Sequence, residues 1–314
     1  MRATVRAMKP RALALLALAA ACSDPGDPPA VDGGVDAPAG RPDGVALCYS
    51  AAADAHPATT GFWTALRAGD RAQRGAAISA LEAAVAAAPD EEELHLLLGL
   101  ANLWKLAEPL PGEEQPGAQL PAALAARDQL RRAYELCPTD YRIPAWLGPV
   151  LVRFGRALND PAMTQEGLTV LDEGIAHYPS FVLFSKLLVF ADEPRDAPEF
   201  QQALDAVVAD ADACAAAPAD PACLDLPHAA HNREGGLVFF GDALAKAGRR
   251  ADALATYQSA QAEAGFATWG YQAMLADRIA TLDARIAAYA TPATTDDPVA
   301  AWTSPEQCAM CHHQ

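Results

Sequence analysis

From Leu237 to Gly265 the apolar positions fall at helical spacing twice over, with a break between the two runs. Leu237, Phe240, Gly241 and Leu244 share one face at intervals of three and four residues, which predicts a first helix. Gly248 interrupts the pattern. Arg249 and Arg250 then open a second run in which Ala253, Tyr257 and Ala260 share a face, and Gly265 stops it. Small residues at 241, 253 and 260 let two backbones approach closely, while Phe240 and Tyr257 fill the space between. The stretch predicts a helical hairpin.

The second-helix pattern recurs three more times, as Ala77/Leu81/Ala84/Pro89, Ala126/Leu130/Ala133/Pro138 and Gly167/Leu171/Gly174/Pro179. First-helix partners read as LLLGLANL from Leu96 to Leu103 and LVRFGRAL from Leu151 to Leu158, the latter close to LVFFGDAL. Units repeated at one internal spacing cannot bury their faces alone and must stack. This spacing resembles the tetratricopeptide repeat (TPR). The resemblance implies an all-α fold, a TPR-like α-solenoid of about five hairpins over residues 47–290 that holds a protein or peptide partner in a groove lined by first helices. Glu108–Pro121 is proline-rich and reads as a non-helical insertion. Residues 180–225 read as a degenerate repeat, with helices over Phe181–Phe190 and Pro198–Ala216. Gly270–Ala290 reads as one long capping helix with Leu275, Ile279, Leu282, Ile286 and Tyr289 as its buried stripe.

Residues 1–21 carry Arg2, Arg6, Lys9 and Arg11 and then an apolar run from Ala12 to Ala21, too short to span a bilayer. Leu18–Cys22 resembles a bacterial lipobox, which implies lipidation at Cys22, a membrane anchor and an exported, periplasmic, outer-membrane location. Cleavage as an ordinary A-x-A signal is the alternative, and either route exports the chain. Residues 22–46 are rich in Pro, Gly and Asp and read as a disordered tether, its ends roughly 25–30 Å apart. The full chain carries a net charge of −17. Four of its basic residues lie in the leader, so the exported chain is more acidic still. Such a surface argues against nucleic acid as a partner.

Residues 291–314 form a tail that contains Cys308-Ala309-Met310-Cys311-His312-His313. C-x-x-C-H resembles the attachment motif of c-type haem, and the phrase around it resembles haem sites of bacterial multihaem cytochromes. The resemblance implies thioether bonds from Cys308 and Cys311 to the porphyrin and His312 as proximal iron ligand. It makes the chain a candidate electron-transfer component with haem c as cofactor. Two other readings stay open: a zinc or copper site using Cys308, Cys311, His312 and His313, and the opening of a cytochrome domain cut short. The bare motif would otherwise close as a disulfide.

His228, His231 and Glu234 are three residues apart and would share a helical face, as a metal site, as a distal ligand for the tail haem, or as an ordinary helix start. Cys214 and Cys223 bracket an Ala/Pro/Asp loop and are expected to pair; Cys48 and Cys137 remain as a second candidate pair. No Walker loop, G-x-S-x-G elbow, H-E-x-x-H or dinucleotide fingerprint appears, so no enzyme activity is expected.

Overall fold

The computed structural model describes residues 55–113, 115–140, 142–217, 231–290, 298–304 and 307–312, apart from the side chain of residue 116. The leader, the tether, Cys22, Cys48, Cys223, His228 and His313 lie outside the described residues. The described chain is all-α, with thirteen helices and no strand. These are α1 Pro57–Arg67, α2 Arg74–Ala87, α3 Glu92–Ala107, α4 Pro116–Leu136, α5 Arg142–Leu158, α6 Pro161–His177, α7 Pro179–Phe190, α8 Pro198–Ala216, α9 Asn232–Lys246, α10 Arg250–Ala262, α11 Gln272–Ala280, α12 Leu282–Tyr289 and α13 Ala309–His312. No described helix is long and apolar enough to cross a membrane.

Helix starts follow local chemistry. His56 Nδ1 accepts the Ala58 N–H at 3.1 Å ahead of α1, and the Asp160 carboxylate accepts the Met163 N–H at 3.0 Å ahead of α6. Proline opens α1, α4, α6, α7 and α8, where its missing N–H costs nothing. Gly248 turns α9 into α10 at φ +77°, a left-handed conformation that a side chain would oppose.

Consecutive helices pack as the pairs α1–α2, α3–α4, α5–α6, α7–α8 and α9–α10. The three apolar positions of every repeated second-helix pattern are buried, in α2, α4, α6 and α10. A glycine on the partner helix meets the middle residue in three pairs. A Cβ at Gly99 would lie 2.7 Å from Leu130 Cγ, and one at Gly148 or Gly241 would overlap Leu171 or Tyr257. The α5 glycine in that role is Gly148 rather than Gly155, which the likeness of LVRFGRAL to LVFFGDAL singles out. Gly155 instead packs against Thr164 and the Asp160 carbonyl near the turn.

Two other expectations change. Residues 116–121 are helical, the first turns of α4, because Pro116 sits at the start and Pro121 forfeits only one early hydrogen bond. The expected long cap is two helices joined at Thr281, and their buried positions include Arg278 and Arg285.

The core falls into three clusters. The first joins α1, α2 and α3 around Phe62, Leu81, Leu97 and Trp104. The second joins α3 to α6 around Leu130, Ile143 and Leu147. The third and largest runs from α5 to the tail around Phe200, Leu244, Tyr257 and Trp269.

Candidate functional site

The tail is built into the fold at both ends of the helical array. Ala300, Ala301, Trp302 and Met310 belong to the third core cluster, while Cys308 packs against the first. Cys308, just ahead of α13, and Met310 within it therefore pack against two different core clusters.

Its first fastening is Asp242, fully buried in the middle of α9. Oδ2 accepts the Ala301 N–H at 2.7 Å, and Oδ1 accepts the Tyr257 hydroxyl at 2.5 Å. Arg278 Nε donates to both oxygens at 3.0 and 3.1 Å, and Arg285 Nη2 donates at 3.2 Å. Burial, together with the Asp242 charge, pushes the Tyr257 hydroxyl far above its ordinary pKa, so it stays a neutral donor. The same arginines reach the tail directly: Arg285 Nη2 donates to the Val299 carbonyl at 3.0 Å. Tyr289 donates to the Pro298 carbonyl at 3.2 Å.

The second fastening is Glu108, buried at the end of α3. One carboxylate oxygen accepts the Trp104 indole N–H at 3.0 Å, and the other accepts the Ala309 N–H at 2.8 Å, at the start of α13. A carboxylate there also suits the positive end of the helical turn. Arg74 Nη1 holds the Glu108 carbonyl at 2.6 Å. On the far side, Trp269 Nε1 donates to the Met310 carbonyl and the His231 N–H donates to the Cys311 carbonyl, both at 2.8 Å. Gly235 leaves room for the turn, since a Cβ there would lie 2.5 Å from Cys311 Sγ.

These contacts sort the motif by face. At 100° per residue, positions 308, 311 and 312 share one side of a helical turn, and 309 and 310 the other. Ala309 and Met310 are buried, whereas Cys308, Cys311 and His312 each keep part of their surface. The His312 ring lies 6.2 Å from the Trp63 ring, centroid to centroid. Both thiols are free, so the disulfide that the bare motif would form is not made. Burial, helped by Glu234, pushes the Cys311 thiol up to about 12; burial, helped by Glu108, also pushes Cys308 well above its ordinary value.

His231 precedes α9 as its cap residue and is buried. Its Nδ1 stands 3.6 Å from Glu234 and has no hydrogen-bond partner. The structure thus brings His231 to the backbone of the Cys-x-x-Cys turn, whereas His228 lies outside the described residues. Among the described residues, no three ligand atoms drawn from Cys308, Cys311, His312 and His231 converge within 4.8 Å. Cys137 and Cys214 are each disulfide-bonded, and the cysteines expected to pair with them, Cys48 and Cys223, lie outside the described residues.

Neither fastening is obvious from sequence. Asp242 interrupts the apolar run LVFFGDALA, which hints at a buried carboxylate, but Glu108 carries no such mark. Comparison with known families, characterised proteins and solved structures finds no match for this chain.

Proposed function

We propose that this protein is an exported, TPR-like solenoid that carries a c-type haem on its own C-terminal turn and serves electron transfer. Cys308 and Cys311 would hold the haem and His312 would ligate its iron. The observation that carries the reading is the division of the turn Cys308–His312 into a buried side, Ala309 and Met310, and a side that carries two free thiols and an imidazole on residues that each keep part of their surface. These residues fit covalent haem attachment, with both sulfurs and the histidine on one side of one turn. A haem held there would supply a one-electron couple.

The rest of the chain then has a defined task. Glu108, Trp269 and the His231 N–H fix the backbone of the turn, Met310 anchors it in the core, and Trp63 packs against the ligating ring. Asp242 and its two arginines tie down the approach at Ala301. Through these contacts α13 lies against α1, α9 and the end of α3, so a peptide partner seeking those first-helix surfaces would have to displace it. A partner on another surface of the solenoid remains compatible with the reading. Anchoring through a lipid at Cys22 completes the proposal and rests on the leader sequence alone.

The test is expression into the periplasm with cytochrome c maturation machinery, followed by the pyridine haemochrome spectrum. A c-type α band is expected in the wild type and none in Cys308→Ser/Cys311→Ser. An exported, folded wild-type protein without a Soret band would overturn the proposal.

A further inference from the structure

A second group of buried polar side chains lies well apart from the tail, where the first turn of α3 meets the start of α5. Glu92, Glu93 and Asp140 are 3%, 1% and 0% exposed, and each brings a carboxylate oxygen within 4.8 Å of the other two. Two of the three are satisfied from within the chain. Arg142 Nε donates to both Asp140 oxygens at 3.0 and 2.9 Å, its Nη2 reaches Glu93 at 2.6 Å, and its backbone N–H donates to Asp140 at 2.9 Å.

Glu92 is different. It faces Asp140, Arg142 and Glu93; both of its oxygens are shut off from solvent and no donor reaches either, so its one hydrogen bond, to Asp140, requires that a proton be kept between the two carboxyls. Buried carboxylates without a partner are costly, and natural folds rarely keep one that has nothing to bind. If Glu92 gives up its proton to a ligand, three ionised carboxylates face one guanidinium, a shortfall of two charges.

We infer that Glu92, Glu93 and Asp140 form a calcium site, in which the two unclaimed Glu92 oxygens complete an all-oxygen donor set. Oxygen-only carboxylate donors select a hard cation, and calcium accepts irregular and bidentate carboxylate geometry where magnesium demands a near-ideal octahedron. A divalent ion supplies the two missing charges. Because the donors come from α3 and from Asp140, just ahead of α5, the ion would tie two successive helix pairs together.

The test is calorimetric titration of calcium chloride into the EDTA-treated, full exported chain at neutral pH and 0.15 M salt, with thermal melts alongside. Wild type is expected to bind one calcium per chain saturably and to melt several degrees higher with calcium than with equal magnesium. Glu92→Gln keeps the shape, and its amide can still donate to Asp140, so it is expected to fold and to lose at least tenfold in calcium affinity. The inference is overturned if wild type shows no saturable binding, if calcium and magnesium shift the melt equally, or if Glu92→Gln binds as wild type does. Should Glu92→Gln fail to fold, the wild-type stoichiometry and the calcium-against-magnesium melts still decide.

Discussion

Two buried carboxylates, Asp242 in α9 and Glu92 in α3, sit at comparable depth and could hardly be used more differently. Asp242 accepts from two arginines, a tyrosine and a backbone amide, and through that amide it holds the tail in place. Glu92 accepts from nothing. The fold can bury an ionised group cheaply only where several donors converge on it, and of these two carboxylates only Asp242 has them. Where donors are missing, the group must stay protonated or take a ligand.

The sharpest way to break this contrast is Asp242→Ala. It leaves Arg278 and Arg285 buried without their anion and removes the acceptor of Ala301, at an expected cost of about 3–5 kcal/mol by urea unfolding. A loss under 1 kcal/mol would mean that the cluster carries no net stability.

Glu92 is expected to behave in the opposite sense. Burial, then Asp140, pushes its carboxyl up to about 9, against 4.5 when unfolded. The folded chain therefore keeps a proton that the unfolded chain has released. Its stabilising contribution is whole below about pH 4.5 and is lost as pH rises towards 9. Glutamine does not titrate, so in calcium-free buffer Glu92→Gln should gain on wild type by on the order of 2–4 kcal/mol between pH 5 and 9. Urea curves that stay parallel across this range would remove the difference between the two sites.

Glu108 tests whether the two fastenings of the tail are separable. Glu108→Ala should cost about 1–3 kcal/mol, freeing α13 from α3 and leaving the Asp242 contacts intact. In haem-free protein the expected signs are faster amide exchange at Ala309 and faster alkylation of Cys308, with Ala301 still protected. The smallest effect is expected from Gly235→Ala, about 1 kcal/mol of overpacking against Cys311, read as faster iodoacetamide labelling of that thiol. Labelling at the wild-type rate would mean the turn is not seated against α9.

Much of the fold was legible because it is local. The repeated second-helix residues are all buried, and Tyr257 fills the space at Gly241 where small residues predict a close approach. The register of α5 was not legible. Gly148 and Gly155 are seven residues apart, two helical turns, so both lie on one face and periodicity cannot choose between them. The break at Thr281 is hidden in the same way, since the apolar spacing runs through it. At the site, the Cys-x-x-Cys-His turn announced itself, but its supports did not. Glu108 meets Ala309 across 201 residues and Asp242 meets Ala301 across 59, contacts that leave no trace in spacing. The acidic group at Glu92 was equally silent, because three common surface residues give no sign of burial.

The central claim is that this docked turn is a haem carrier, and intact-protein mass spectrometry tests it most directly. The exported protein, made with haem-attachment machinery and stripped of non-covalent ligands by acid and acetone, should carry the mass of one haem, mapped to the peptide containing Cys308 and Cys311. An unmodified mass, with both thiols still open to iodoacetamide after unfolding, would contradict it.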